Sequence, residues 1–206
     1  MKCDCVKLNL DTQNHEDRVY VIAEAAPDCA CESQLVSLHS PHSVRAEETL
    51  GRMVCTPMHV HSKRKELKPS FFEHAFSYGL SVQRLELAAH DELASLVVGF
   101  LEPKEDRTWL GYVECSCEHL RNLRDESSGM RMFCVYDSGE ENNPAHTEIG
   151  VSRRIPEADQ NEYRRELMRV FGEGVIKNRE KLHDGSVLAL MPQELQSRPR
   201  PKQWLE

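Results

Sequence analysis

An α+β fold, with a mostly antiparallel sheet and a late amphipathic helix packed on it, is what this 206-residue chain predicts. Three observations carry that expectation. Short alternating or β-branched runs, punctuated by Gly and Pro, recur from about residue 50 to residue 136. The longest stretch of helical periodicity comes late, over 159–182, where Tyr163, Leu167, Val170, Phe171 and Val175 trace one face. Strands gathered before the main helix, rather than alternating with helices, favour hairpin connections over parallel crossovers.

The elements follow in order. Residues 18–25 (RVYVIAEA) read as a strand closed by Pro27. Residues 28–49 are rich in Ser, His and Glu, and 45–49 begin a short helix. Residues 50–56 (LGRMVCT) form the next strand, stopped by Pro57, and 58–61 continue it after a bend. Pro69 and Ser70 start a helical turn carrying Phe71, Phe72 and Phe76, which Gly79 breaks. Residues 80–85 alternate as a strand should. Over 91–100, Asp91 and Glu92 precede Leu93, Leu96, Val97 and Phe100 at helical spacing. Residues 109–117 (WLGYVECSC) predict a strand, 119–124 a single helical turn, and 130–136 another strand. Asp159 and Glu162 have the spacing of a capping box at the start of the late helix. Gly172 and Gly174 weaken that helix by roughly 1 kcal/mol each relative to alanine. Asp184 and Gly185 end it, and 186–191 predict an edge strand. The chain thus divides into a Cys-rich segment 1–39, one α+β domain over 40–191, and a Pro-rich tail 192–206.

Composition narrows the function classes. With 39% hydrophobic and 29% charged residues the chain can bury a core and is not of disordered type. No run approaches the roughly 18 apolar residues a membrane helix needs, and the first residues lack the apolar stretch of a signal peptide. The expectation is a soluble cytoplasmic protein with no membrane partner. A formal charge of -8 argues against a nucleic-acid footprint over the whole surface. A local basic knot, Lys63, Arg64, Lys65 and Lys68, is the exception. With Arg84 it supplies the candidate nucleic-acid or phosphate contacts; a solvated turn is the plainer reading.

Eight cysteines include three Cys-x-Cys pairs, at 3/5, 29/31 and 115/117. A reducing compartment favours thiols over disulfides. Zinc is then the sharp reading, with Cys3, Cys5, Cys29 and Cys31 the candidate quartet. The spacing fits less well than Cys-x₂₋₄-Cys, and small buried hydrophobes are the competing reading.

Among motifs, Pro144-Ala145-His146-Thr147-Glu148 is the most informative. In an extended segment, residues two apart face the same way, so His146 and Glu148 can act as a ligand pair, an acid–base pair or a mutually satisfied pair. The His-x-Glu form of zinc deaminases is excluded, because no cysteine follows Cys134 to complete the metal site. His59-Val60-His61 with Glu66 resembles half of a cupin metal motif, but Glu66 sits just before Pro69 and the companion histidine is absent. No Gly-x-Ser-x-Gly elbow, P-loop or Gly-x-Gly-x-x-Gly occurs. A distributed set remains: Arg52, Ser81 and Glu148, assisted by His146, in an order compatible with an ADP-ribosyltransferase-like NAD site. Its plain alternative is an Arg52–Glu148 ion pair beside a small serine.

The runs Ser40-Pro41-His42, Leu67-Lys68-Pro69-Ser70-Phe71-Phe72, Gly79-Leu80-Ser81-Val82-Gln83-Arg84, Cys134-Val135-Tyr136-Asp137 and Asn143 to Glu148 resemble a group of bacterial proteins without an assigned activity. The resemblance covers roughly 40–150 and implies a shared framework that includes Arg52, Ser81, Arg84 and His146. It transfers no function. The leading expectation is a non-enzymatic subunit or adaptor of a bacterial multi-protein system, a defence system among the options, with a protein partner encoded nearby. An NAD-using enzyme and a nucleic-acid-binding accessory protein are the alternatives.

Overall fold

A computed structural model describes residues 4–61, 66–172 and 185–197. A five-stranded, wholly antiparallel sheet organises them, in the order β5-β1-β4-β7-β6. The strands are β1 (Thr49–Thr56), β4 (Leu80–Arg84), β5 (Thr108–Ser116), β6 (Phe133–Tyr136) and β7 (His146–Val151). The two-residue strands β2 (Val60–His61) and β3 (Glu66–Leu67) pair separately. The α+β expectation holds, and no helix among the described residues is long and apolar enough to cross a membrane.

Strand alternation gives the sheet two unlike faces. One is apolar: Leu50, Val54, Leu80, Val82, Val113, Val135 and Ile149 join the main core, each almost fully buried. A 3-10 helix, Pro69–Phe76, lays Phe71, Phe72 and Phe76 on this core, and the late helix α5 (Gln160–Val170) adds Tyr163, Leu167 and Val170. Phe71 and Phe72 meet edge to face at 4.8 Å, a geometry aromatic quadrupoles favour.

The opposite face is covered in two separate places. At the β1–β5 end, α3 (His90–Leu101) and α6 (Gly185–Leu190) bury Cys55, Trp109, Val97 and Val187. At the β6–β7 end, α1 (Cys5–Thr12), α2 (Arg18–Ala25) and a 3-10 segment, Pro27–Ser33, pack Cys5, Ile22, Ala26, Cys29 and Cys31 against Cys134 and Tyr136. Disulfides join Cys5 to Cys31 and Cys29 to Cys134, with Cα separations of 5.6 and 5.3 Å. The remaining elements are α4 (Cys117–Arg121) and α7 (Gln193–Gln196).

Three expectations fail. Residues 18–25 are a helix, because Val19, Ile22, Ala23 and Ala26 also satisfy helical spacing and are all buried, Val19 in the main core and Ile22 and Ala26 in the N-terminal cluster. Residues 186–190 belong to α6 and Met191 to the bend after it, so the expected edge strand over 186–191 is absent, and Val187 joins the α3 cluster. Residues 45–49 make a turn in which the Glu48 carboxylate accepts the Arg45 N–H at 2.8 Å, not a helix. The late helix starts as expected but without a side-chain bond from Asp159, and it ends earlier than expected, at Val170, with Phe171 as its C-cap and Gly172 following at φ +105°. Its expected continuation through Val175 to 182 lies outside the described residues. The disulfides also depart from the expected thiols: the helical N-terminal segment folds back on itself and on β6, which brings these sulfurs into pairs.

Candidate functional site

A polar cleft of about 830 Å³ opens on the second sheet face, between the strands and the N-terminal helices. Its floor follows from register. Ser81 stands opposite Glu148 and Gln83 opposite His146 in the β4–β7 ladder, so all four share the face that Leu80, Val82 and Ile149 turn away from. The expected same-side placement of His146 and Glu148 is present, and Ser81 lines the same cleft. Glu148 presses close to Gly79: a Cβ there would lie 3.0 Å from the Glu148 carboxyl carbon, and the backbone holds φ +108°. Only glycine suits that position.

The Glu148 carboxylate is held by Arg18 from α2, 130 residues away in sequence. Arg18 also donates to the Tyr78 carbonyl at 3.1 Å and to the Asn9 side-chain oxygen from α1. The side chains of Arg18 and Glu148 are only 6% and 13% exposed, so the pair is a largely desolvated strut between the helical layer and the sheet.

His146 is fixed from its Nδ1, which lies 3.0 Å from the Ser138 carbonyl and 2.9 Å from the Ser138 hydroxyl. A carbonyl oxygen only accepts, so in the neutral ring the proton sits on Nδ1 and Nε2 carries the lone pair. Ser138 belongs to the loop after β6, which Asp137 anchors. The Asp137 carboxylate accepts the Val36 N–H at 3.0 Å, and its backbone carbonyl accepts the Ser40 hydroxyl at 3.3 Å. Its other carboxylate oxygen is buried without a hydrogen-bond partner, and burial pushes the pKa up to about 6. At the cleft's outer side the same loop brings Glu140 and Glu141.

The remaining candidates separate from this site. Arg52 is committed within the sheet: it donates to the Ser81 carbonyl at 2.6 Å and the Phe71 carbonyl at 3.2 Å, and stacks 4.6 Å over the Phe71 ring. The reason is a gap in the ladder. β1 and β4 pair only at Leu50–Arg84 and Gly51–Gln83, and beyond these the guanidinium substitutes for backbone donors. Burial lowers its pKa to about 10, which leaves it charged at neutral pH. The expected Arg52–Ser81–Glu148 site and the alternative Arg52–Glu148 ion pair are both corrected: Arg18 is the guanidinium that meets Glu148.

Arg84 is fully buried, clamped on Glu48 at 2.5 and 2.7 Å and on the His42 carbonyl at 2.8 Å, so it is a core ion pair and not a phosphate contact. Lys68 donates to the Pro57 carbonyl at 2.7 Å, while Lys63, Arg64 and Lys65 lie outside the described residues. The cupin-like motif does not assemble. The His59 Nδ1 accepts the Cys55 N–H at 3.0 Å, and burial with the Arg52, Arg107 and Lys68 charges pulls its pKa down to about 3. Of the expected zinc quartet, Cys3 lies outside the described residues, and Cys5, Cys29 and Cys31 are in disulfides. Cys55, Cys115 and Cys117 are buried free thiols whose pKa values burial raises.

Sequence reasoning missed Arg18, Ser138 and Asp137. Arg18 was hidden by the strand reading of its segment; the turn-rich stretch between Tyr136 and His146 was the signal for the other two. Comparison with protein-family models, curated proteins and solved structures finds no match.

Proposed function

We propose that the protein works through this cleft, binding a small polar ligand that is cationic or neutral, with His146 taking a proton from it. The observation that carries the reading is His146 itself: anchored through Nδ1 on Ser138, lining the cleft, with a basic Nε2 that has no hydrogen-bond partner among the described residues. Removing a proton from an ammonium or hydroxyl group is the task this tautomer suits. Charge selects the ligand. Glu140, Glu141 and Glu148 face one guanidinium, Arg18, so the lining carries a negative excess. An amine is drawn in; NAD, with two phosphates, is a poorer fit than the sequence suggested.

Isothermal calorimetry with spermidine and lysine amide tests this. Saturable binding is expected, weakened about tenfold by Glu140→Gln with Glu141→Gln, which corresponds to about 1.4 kcal/mol. In the same reading labelled NAD stays intact. Binding of sugar phosphates in preference to amines would overturn it, as would amine binding that the double variant leaves unchanged.

The adaptor reading keeps one specific support. Leu10 and Tyr78 on the cleft wall and Leu38 beside it are exposed, Leu38 by 81%, so the polar floor has an apolar rim of the kind that partner segments cover. Size-exclusion of the full chain with an amine-bearing peptide against the free amine separates the two readings.

A further inference from the structure

The N-terminal layer contains a sulfur cluster that the cleft chemistry does not use. Cys5, Cys29, Cys31 and Cys134 all lie in one buried group, contributed by α1, the 3-10 segment and β6. Within it the sulfurs of Cys29 and Cys134 and a carboxylate oxygen of Glu32 are all within 4.8 Å of one another. Among the described residues no other set of three His, Cys, Asp or Glu side chains converges this closely. Asp28 and Cys29, at φ 56° and 57°, hold left-handed backbone that costs non-glycine residues energy and recurs at ligand clamps.

The surroundings of Glu32 suit a metal ligand as well as a neighbour of a neutral disulfide. Its carboxylate meets Arg121 at 3.1 Å and Arg131 at 2.5 Å, and accepts the Val135 N–H at 2.5 Å. Beside a disulfide, two guanidiniums thus face a single anion, and the Arg131 Nε is buried with no hydrogen-bond partner. A divalent cation on two thiolates and this carboxylate sums to one negative charge. Arg121 and Arg131 balance that charge and hydrogen-bond the ligating carboxylate, as outer-shell groups do at metal sites.

We propose that the reduced protein binds one thiophilic divalent cation, zinc in chemical class, through Cys29, Cys134 and Glu32. The site has two forms. In the oxidised form the sulfurs are disulfides. A dithiol converts it by giving two electrons and two protons to each cystine and closing to its own disulfide. The cation then displaces the thiol protons to solvent as metal–sulfur bonds form. Of the sequence-based quartet only Cys29 belongs to this set, joined by Cys134 and Glu32, and soft sulfur ligands select zinc over magnesium or calcium.

The test uses the full chain, reduced with a phosphine under anaerobic conditions and titrated with Co²⁺. One equivalent is expected to give thiolate-to-cobalt charge transfer in the near ultraviolet, abolished by excess Zn²⁺ and by Cys134→Ser, and retained in Cys115→Ser. Glu32→Gln is expected to weaken binding at least tenfold. Alkylation mapped by mass spectrometry on the wild-type chain removes any dependence on variants that fail to fold: Zn²⁺ is expected to protect Cys29 and Cys134. No charge-transfer band in the reduced wild-type protein overturns the proposal, as does zinc-dependent protection confined to other cysteines.

Discussion

Single residues set the chemistry of the cleft, and Asp137 shows how burial tunes it. Its folded pKa of about 6 lies above its usual 3.8 because the carboxyl is desolvated. Between those values the folded state holds a proton that the unfolded chain has released, so stability falls as pH rises from about 4 to 6. The whole effect is about 3 kcal/mol at most. Asp137→Asn is expected to flatten that slope and to raise the denaturation midpoint at pH 7, measured by urea unfolding across pH. Glu148→Gln removes the charge that Arg18 was folded against. With both side chains largely buried, the expected loss is roughly 3 kcal/mol, far more than a surface pair would give. Gly79→Ala meets both a positive φ and the Glu148 carboxyl, so it is expected to destabilise and to displace Glu148 together. The same-face placement of His146 and Glu148 was legible in sequence because strand alternation is local. Arg18 was not, because its partner is chosen by how α2 crosses the sheet.

At the level of elements, the 3-10 helix Pro69–Phe76 carries more of the core than its length suggests. Phe72 is fully buried between Phe71 and Phe171. Phe72→Ala is expected to cost about 3–5 kcal/mol, read as a shift in denaturant midpoint without a change in slope. The β-strands of the central sheet could be read from sequence because Gly and Pro bound them and one face alternates apolar. The strand readings of 18–25 and 186–191 failed for one reason: both are short apolar runs whose partners decide the period. Val187 packs on α3, and Ile22 on the sulfur cluster, contacts invisible to a local pattern.

Across the whole molecule, the N-terminal layer is a clasp on the β6–β7 end of the sheet, tied by Cys29–Cys134 over a sequence separation of 105. In the chain-entropy account, losing so long a closure without a replacement metal costs roughly 4–5 kcal/mol. Hydrogen exchange on the reduced, metal-free protein is expected to rise first in α1 and α2, and with them at the Arg18 side of the cleft, while β1 and β5 stay protected. Equal loss of protection across the sheet would show that the layer is not a separable clasp. What the amino-acid order determined by itself was the class of fold, most of the strands, the aromatic turn and the placement of His146 and Glu148 on one face of β7. These depend on periodicity and turn chemistry over a few residues. The tertiary structure alone decided that Arg52 and Arg84 are internal struts, that Arg18 is the cleft's guanidinium, and that Cys134 completes the sulfur cluster. Each of those outcomes rests on which buried charge or sulfur finds a neighbour distant in sequence, 36 residues for Arg84 with Glu48 and 130 for Arg18 with Glu148, or across a gap in a ladder, and no local pattern encodes that distance.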